Sequence, residues 1–156
     1  KNAVDLYAGT GPIGMFLSQV AEKVVCIESN RDSVAMARRN IETNGLRNIE
    51  VLCVEAEKAG PDAFPKPTDL IVVDPPRPGL HKKAMELLLS VKASNLIYVS
   101  CNPATLARDL KLLAEGGYAI EAIQPVDMFP HTFHIEAVAK RRRESVNHET
   151  HGIHEK

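Results

Sequence analysis

The first 28 residues, KNAVDLYAGTGPIGMFLSQVAEKVVCIE (1–28), place a glycine-rich turn between two apolar runs. The turn, GTGPIG at residues 9–14, has the spacing G-x-G-x-x-G, which in nucleotide-binding proteins follows a strand and opens a helix. The second run ends at Glu28, 19 residues after Gly9, where a carboxylate can accept both hydroxyls of a ribose. This order of strand, turn, helix and acid predicts a cofactor-binding α/β unit without choosing the cofactor.

Strand and helix patterns continue to alternate along the chain. The helix after the glycine turn is expected to bury one apolar face, formed by Ile13, Phe16, Leu17 and Val20. The predicted strands are 3–8, 23–28, 49–55, 69–74, 95–100, 118–126 and 134–140, and the predicted helices are 12–21, 32–44, 82–92 and 103–115. Apolar strands separated by helices predict an α/β fold with a doubly wound, mostly parallel sheet. The last two strands have no helix between them, which predicts an antiparallel edge strand.

The composition is that of one globular domain, with 156 residues of which 44% are apolar and 25% charged. No apolar run approaches the ~18 residues of a membrane-spanning helix. The net charge of −1 excludes a broadly basic nucleic-acid-binding surface, so such contacts are expected to be local or supplied by another part of the protein. The sequence does not begin with Met, and we expect it to be a piece of a longer protein. Residues 141–156 predict a polar, disordered tail, which leaves 1–140 as the domain.

The chain has three cysteines, and none belongs to a CxxC pair. This pattern argues against a four-thiolate zinc site and favours a reducing, cytoplasmic compartment. Cys26 and Cys53 lie inside apolar strands and are expected in the core. Cys101 instead follows a strand and precedes a helix, where the backbone dipoles favour a thiolate.

Three further motifs lie at predicted strand ends. DPPRPG (74–79) combines Asp74 with prolines that stiffen the chain, and SCNP (100–103) contains Cys101. DMFPHTFHIE (127–136) ends at a glutamate within an apolar stretch. Taken singly, these motifs also fit an ordinary capped turn, an inert cysteine and a solvated glutamate.

Together these motifs resemble the RNA (uracil-5-)-methyltransferase family, whose members methylate carbon 5 of uridine in ribosomal or transfer RNA. The residues that carry the resemblance are DLYAGTGPIG (5–14), DPPRPG (74–79), SCNPATLARDL (100–110) and DMFPHTFHIE (127–136). They occur in the family's order and cover nearly all of residues 1–140. The resemblance implies a Rossmann-like fold that binds S-adenosylmethionine, an RNA substrate and no metal in this part of the chain. It also implies an RNA-binding part N-terminal to this domain.

The resemblance implies roles for particular residues. Cys101 would add to carbon 6 of uracil and make carbon 5 nucleophilic, and Glu136 would then remove the proton from carbon 5. Asp74 would lie beside the reacting groups, near the target base or the methionine end of the cofactor. The implied cofactor-binding residues are Tyr7, Gly9, Thr10, Gly11, Glu28, Glu55 and Asp74, and the implied substrate-binding residues are Arg77, Asn102 and His131.

Three alternatives remain at this stage. A nicotinamide-dependent oxidoreductase fits the glycine turn and Glu28 but gives the three later motifs no role. An amino-group methyltransferase usually has an aromatic residue after Asp-Pro-Pro, where this chain has Arg77. A non-catalytic cofactor- or RNA-binding module would not need both Cys101 and Glu136.

Overall fold

The structure is a computed structural model that describes residues 1–128 and 136–143. Its strands are β1 (Asn2–Leu6), β2 (Lys23–Glu28), β3 (Ile49–Cys53), β4 (Leu70–Val73), β5 (Asn95–Ser100), β6 (Tyr118–Val126) and β7 (Glu136–Arg143). Its helices are α1 (Pro12–Leu17), α2 (Arg31–Thr43), α3 (Lys82–Val91) and α4 (Pro103–Glu115), with a short 3₁₀ turn at Pro61–Ala63. No helix in the described part of the chain is long and apolar enough to cross a membrane.

The strands form one sheet in the order β3-β2-β1-β4-β5-β7-β6. Strands β1 to β5 pair in parallel, whereas β7 runs antiparallel to both β5 and β6. The predicted doubly wound sheet with an antiparallel edge is therefore confirmed. The strand order reverses between β1 and β4, and ligands of open α/β sheets bind beyond the carboxyl ends of the strands at such a point.

Apolar residues cover both faces of the sheet. On one face, β1 contributes Val4 and Leu6 to a core shared with α3 and α4. On the other face, Ala3 belongs to a core that includes residues of α1 and α2. Burying a Leu or Val side chain contributes roughly 1.5–3 kcal/mol, so these two layers account for the stability of the parallel strands.

Two predictions about burial are wrong. Helix α1 ends at Leu17 rather than at residue 21, and its C-terminal cap is Ser18. Leu17 is 7% exposed, whereas Phe16 and Val20 are 69% and 76% exposed, so the helix does not bury the predicted apolar face. Cys53 is also exposed, because it ends β3 at the open edge of the sheet. Cys26 is buried in β2 as predicted, and burial raises the pKa of its thiol to about 12.

Strand β7 takes in three residues that the sequence pattern assigned to the polar tail, since it continues through Arg143. Arg141 in this strand is fully buried, and its guanidinium donates hydrogen bonds to the carbonyl oxygens of Leu110 and Tyr118. The tail therefore cannot begin at residue 141. The remaining predicted tail, 144–156, lies outside the described residues.

Candidate active site at the carboxyl ends of the strands

The glycine turn after β1 is held by hydrogen bonds from its own backbone. Gly9 and Gly11 have φ angles of 55° and 86°, in the left-handed region that favours glycine. The Gly9 N–H donates to Glu28 Oε2 at 2.9 Å, and the Gly14 N–H donates to Asp5 Oδ2 at 2.8 Å. No described atom lies within 4 Å of the position that a Cβ on Gly9 would take. The turn therefore leaves open space where a ligand can approach the backbone.

Glu28 ends β2 directly beside this turn. Its second carboxylate oxygen, Oε1, accepts a hydrogen bond from the Asn30 N–H at 2.7 Å, so both oxygens are fixed in orientation. A carboxylate offers about four acceptor positions, and the hydroxyl groups of a ribose can use those that remain. The predicted cofactor-binding role of Glu28 is consistent with this position and stays a prediction.

Asp5 is a candidate that the sequence analysis missed. It lies in the middle of β1, is fully buried, and its Oδ1 atom has no hydrogen-bond partner among the described residues. Burial, with smaller contributions from the carboxylates of Asp74 and Glu28, raises the pKa of Asp5 to about 7. The signal in the sequence was the single charge within the apolar run AVDLYA (3–8). A cation bound in the crevice would stabilise the ionised carboxylate.

Tyr7 lies between Asp5 and the glycine turn in a strained backbone conformation. Its φ angle is 67°, which costs a residue other than glycine about 1–3 kcal/mol. The backbone N–H groups of Tyr7 and Ala8 both donate to the Ile27 carbonyl, which fixes this turn against β2. Burial, followed by the charges of Glu57 and Asp109, raises the pKa of the Tyr7 hydroxyl to about 12. Such strain is typical of ligand-binding positions.

Two other predicted cofactor residues lie near the same strand ends. The exposed Thr10 is tied to α2, because its carbonyl accepts a hydrogen bond from Asn40 Nδ2 at 3.1 Å. Glu55 follows β3 and lines a cavity together with Ser29 and the exposed Cys53. Its carboxylate pairs with Lys58 Nζ at 2.7 Å. Contact of Thr10 and Glu55 with a cofactor stays a prediction.

The pairing of β5 with β7 brings Cys101 and Glu136 to neighbouring positions. Ser100 pairs with Ala137 in this antiparallel ladder, so the next residues along the two strands are Cys101 and Glu136. Both residues are half-buried. Although 35 positions separate them in the sequence, the sheet places them at one edge of the crevice.

Asp74 lies at the same edge, directly after β4. Its backbone N–H donates to the Leu6 carbonyl at 3.3 Å, which ties it to the end of β1. Asp74 is exposed, and partial desolvation raises its pKa, with the nearby carboxylate of Glu136 raising it further. The three predicted catalytic residues are thus brought together at one edge of the crevice.

Arg77 and Asn102 are the predicted substrate-binding residues that the structure describes, and their surroundings differ. The Arg77 side chain is exposed at the rim of the crevice. Asn102 caps α4, since its Oδ1 accepts from the Ala104 N–H at 3.1 Å, and its Nδ2 donates to the Arg77 carbonyl at 3.3 Å. Both ends of the Asn102 amide are therefore used within the protein, and its contact with substrate stays a prediction. His131 lies outside the described residues.

The described residues contain no group of three or more side chains arranged to hold a metal ion. What the crevice presents is a thiol, a cluster of carboxyl groups and a glycine turn. This set can bind a nucleotide-like cofactor on the β1–β2 side. It can carry out nucleophilic addition and proton transfer on the β4–β5 side.

Comparison with known sequences identifies matches along the whole domain. Residues 62–141 match the family described as tRNA (uracil-5-)-methyltransferase, and residues 1–96 match the methyltransferase small domain. An uncharacterized RNA methyltransferase of Clostridium tetani is 44% identical over 143 residues, 92% of this chain and 31% of the relative. Another from Bacillus cereus is 45% identical over 141 residues, 89% of this chain and 31% of the relative. The chain thus spans about a third of the length of these curated relatives.

Solved structures give the same result. The crystal structure of Pyrococcus abyssi tRNA (uracil-54, C5)-methyltransferase in complex with S-adenosyl-L-homocysteine is 40% identical, with a TM-score of 0.77. The match covers 89% of this chain and 33% of that one. An rRNA methylase from Streptococcus thermophilus has a TM-score of 0.74 at 13% identity, covering 93% of this chain and 88% of that chain, which is evidence for the fold alone.

The nicotinamide-dependent alternative is not favoured, because the matched families and relatives are methyltransferases. The tRNA (uracil-5-)-methyltransferase match at residues 62–141 covers about half of the chain. It includes the predicted catalytic residues Asp74, Cys101 and Glu136. The resemblance seen in the sequence motifs is confirmed, and this chain belongs to the tRNA (uracil-5-)-methyltransferase family.

Proposed function

We propose that this chain is the catalytic domain of an enzyme that transfers a methyl group from S-adenosylmethionine to carbon 5 of a uridine in RNA. The observation that carries the proposal is the β5–β7 register, in which Glu136 neighbours Cys101. Uracil carbon 5 is too weak a nucleophile to be methylated directly, so the reaction needs both a nucleophile and a base. The register supplies both at the rim where Asp74 also lies.

The features at the strand ends suit a positively charged nucleoside cofactor. S-adenosylmethionine supplies the methyl group as part of a positively charged sulfonium. Gly9 and Gly11 leave the backbone accessible, Glu28 would accept the ribose hydroxyls, and Asp74 would border the methionine end. The carboxyl of Asp5 is buried behind the glycine turn, where its Oδ2 accepts from the Gly14 N–H and its Oδ1 has no partner among the described residues. Binding of a cation would favour ionisation of Asp5, whose pKa is raised to about 7.

Cys101 would begin the reaction by adding its thiolate sulfur to carbon 6 of uracil. The electrons of the C5–C6 double bond then move toward the carbonyl at carbon 4, which gives an enolate that is nucleophilic at carbon 5. Carbon 5 would form its bond to the methyl group in this state, as the bond from that methyl to the sulfonium sulfur breaks and leaves the neutral thioether S-adenosylhomocysteine. Cys101 lies two residues before α4, which begins at Pro103.

Glu136 would complete the reaction as the base. Its carboxylate takes the proton from carbon 5, the C5–C6 double bond re-forms, and the bond from carbon 6 to the Cys101 sulfur breaks. Asp74 would border the uracil base and Glu136, since desolvation and the nearby Glu136 carboxylate raise the pKa of Asp74.

The RNA must present its uridine outside the base stack for Cys101 to reach carbon 6. The exposed Arg77 at the rim would contact the pyrimidine or an adjacent phosphate, and His131 would border the base. The protein from Pyrococcus abyssi is titled a tRNA methyltransferase, and the proposal extends to a uridine in either tRNA or rRNA. RNA binding by the whole protein would also involve the N-terminal part that the family resemblance implies.

Mass spectrometry of nucleosides tests this function directly. Unmodified tRNA transcripts and rRNA fragments are incubated with the protein and S-adenosylmethionine, and the digests are searched for 5-methyluridine. We expect 5-methyluridine from the wild type and from Cys53→Ala, which removes an exposed thiol away from the rim. Cys101→Ala should form none. A methylated adenosine or guanosine, or tighter binding of NAD than of S-adenosylmethionine, would contradict the proposal.

A further inference from the structure

Asp109 of α4 is a buried carboxylate with no place in the reaction described above. Its side chain is 1% exposed, and its Oδ2 accepts hydrogen bonds from the Leu80 N–H at 2.8 Å and from the Tyr98 hydroxyl at 2.6 Å. Its Oδ1 accepts a hydrogen bond from Arg108 Nε at 2.8 Å. The carboxylate is therefore fully used, and its partners come from three separate segments of the chain.

These partners adjoin the two catalytic loops. Leu80 directly follows the loop DPPRPG (74–79), which begins with Asp74. Tyr98 lies on β5, and its side chain is buried on the same side of the strand as that of Ser100, the residue before Cys101. Burial and the Asp109 carboxylate raise the pKa of Tyr98, which keeps its hydroxyl protonated as a donor. A single carboxylate oxygen thus joins the end of one catalytic loop to the strand that leads into the other.

The loop 74–79 has few donors of its own, because three of its six residues are proline. It is held instead through its carbonyl groups. The Arg77 carbonyl accepts from Asn102 Nδ2 at 3.3 Å and Thr105 Oγ1 at 3.2 Å, and the Pro78 carbonyl accepts from an Arg108 guanidinium nitrogen at 2.9 Å. All three donors belong to the first turns of α4 or to its cap.

Gly79 shows how closely the loop and the helix approach each other. Its φ angle is +81°, and a Cβ at this position would lie 2.6 Å from both Asp109 Oδ2 and an Arg108 guanidinium nitrogen. The glycine therefore allows the loop backbone to lie directly on the Asp109–Arg108 pair. Packing this close resists small displacements of the loop backbone relative to α4.

We propose that Asp109 is a positioning residue that fixes the loop of Asp74 relative to the Cys101 end of β5. This inference rests on the proposed function, since it concerns the geometry of that reaction. The hydrogen bonds that Asp109 accepts all come from the β4–β5 side, so loss of the carboxylate should act first on that side. On the β1–β2 side it would remove only a charge near the Tyr7 hydroxyl. The separation between Asp74 and Cys101 would become variable, and misplacement of reacting groups by about 1 Å can slow a reaction about 100-fold.

The test compares Asp109→Asn with Leu113→Ala. The amide introduced by the first substitution is nearly isosteric with the carboxylate but replaces one of its two acceptor oxygens by an NH2 group, so the donors Leu80, Tyr98 and Arg108 cannot all be accepted. Leu113 is a fully buried residue near the other end of α4. Unfolding midpoints are measured first, to establish that Leu113→Ala is destabilised at least as much. Turnover and the Kd for S-adenosylmethionine are then measured, together with amide hydrogen exchange of peptides covering residues 74–80.

We expect Asp109→Asn to lower kcat at least about 30-fold with the Kd for S-adenosylmethionine changed less than about twofold, and to speed exchange at 74–80. Leu113→Ala should keep kcat within about threefold of the wild type. Equal loss of kcat in the two variants, or unchanged exchange at 74–80 in Asp109→Asn, would overturn the proposal. If the wild type forms no 5-methyluridine, the proposed function fails, and the exchange measurement still decides whether Asp109 holds the loop.

Discussion

The two sides of the crevice are held in different ways. On the β1–β2 side, backbone N–H groups donate to carboxylates, as Gly9 does to Glu28 and Gly14 does to Asp5. On the β4–β5 side, side chains of α4 and its cap donate to backbone carbonyls of the loop 74–79. The first arrangement depends on residues that are at most 19 positions apart, and the second joins residues 25 to 30 positions apart.

Because the two sides are held by separate sets of hydrogen bonds, cofactor binding and catalysis should be separable by mutation. A change on the β4–β5 side should affect turnover and leave cofactor affinity nearly constant. A change on the β1–β2 side should affect cofactor affinity or folding first. Three variants test whether the two sides are independent.

The first variant, Glu136→Gln, removes the proposed base and keeps the size of the side chain. Loss of general-base catalysis typically lowers a rate about 10²–10⁴-fold, so 5-methyluridine formation should fall by this factor. Because the proton on carbon 5 is no longer removed, a covalent complex of protein and methylated RNA should accumulate. Gel analysis under denaturing conditions detects that complex.

The matched control is Glu121→Gln on the neighbouring strand β6, where the carboxylate pairs with Lys140 and Arg142 instead of facing the rim. It should retain turnover within about twofold, and neither variant should change the affinity for S-adenosylmethionine. A Glu136→Gln protein with normal turnover would show that another group is the base.

The second variant, Asp5→Asn, concerns the pH dependence of folding. The pKa of Asp5 is about 7 in the folded protein, above its usual 3.8. The contribution of Asp5 to the free energy of unfolding is therefore fully present at a pH below 3.8 and is lost as the pH rises to about 7. Between these values the unfolded chain releases the proton first. The wild type should lose up to about 4 kcal/mol of unfolding free energy relative to Asp5→Asn across this range.

Urea unfolding at several pH values between about 4 and 8 measures this difference. Asp32→Asn, at an exposed position in the first turn of α2, serves as the control and should parallel the wild type. Parallel curves for Asp5→Asn and the wild type would mean that burial of Asp5 does not raise its pKa.

The third variant, Glu28→Gln, tests the β1–β2 side alone. A hydrogen bond to a charged group contributes about 1.5–3 kcal/mol, so the Kd for S-adenosylmethionine should rise about 10- to 100-fold. At saturating cofactor, kcat should stay within about threefold of the wild type. Calorimetry beside Glu42→Gln, an exposed change on α2, gives the comparison. A large fall in kcat with an unchanged Kd for S-adenosylmethionine would show that the two sides are not independent.

Local patterns in the sequence predict much of this fold and part of the site. Apolar runs and helix periodicity depend on neighbouring residues, so the alternation of strands and helices and the antiparallel edge could be predicted. The positions of Glu28 and Cys101 at strand ends follow from the same patterns. Exposure of Cys53 could not be predicted, because it depends on which strand forms the edge of the sheet.

The surroundings of Arg141 and Asp109 could not be predicted from the sequence, because they depend on contacts between residues far apart in the chain. The sequence pattern assigns Arg141 to a basic tail. Only the position of β7 between β5 and β6 shows that the Arg141 guanidinium is buried against carbonyl groups. The sequence pattern shows Asp109 only as a polar residue on a helix. Its hydrogen-bond partners Leu80 and Tyr98 lie 29 and 11 positions away in the chain. Asp5 could have been noticed, because an unpaired charge in a buried strand demands a reason.

RNA transcribed with 5-fluorouridine tests whether Cys101 attacks carbon 6 of uracil. Fluorine at carbon 5 cannot leave as a proton does, so the bond between sulfur and carbon 6 should persist after methyl transfer. Peptide mapping of the protein–RNA complex should then place the nucleotide on Cys101, with no complex from Cys101→Ala. Methylation of uridine without any such complex, or a nucleotide attached to Cys53, would contradict this account.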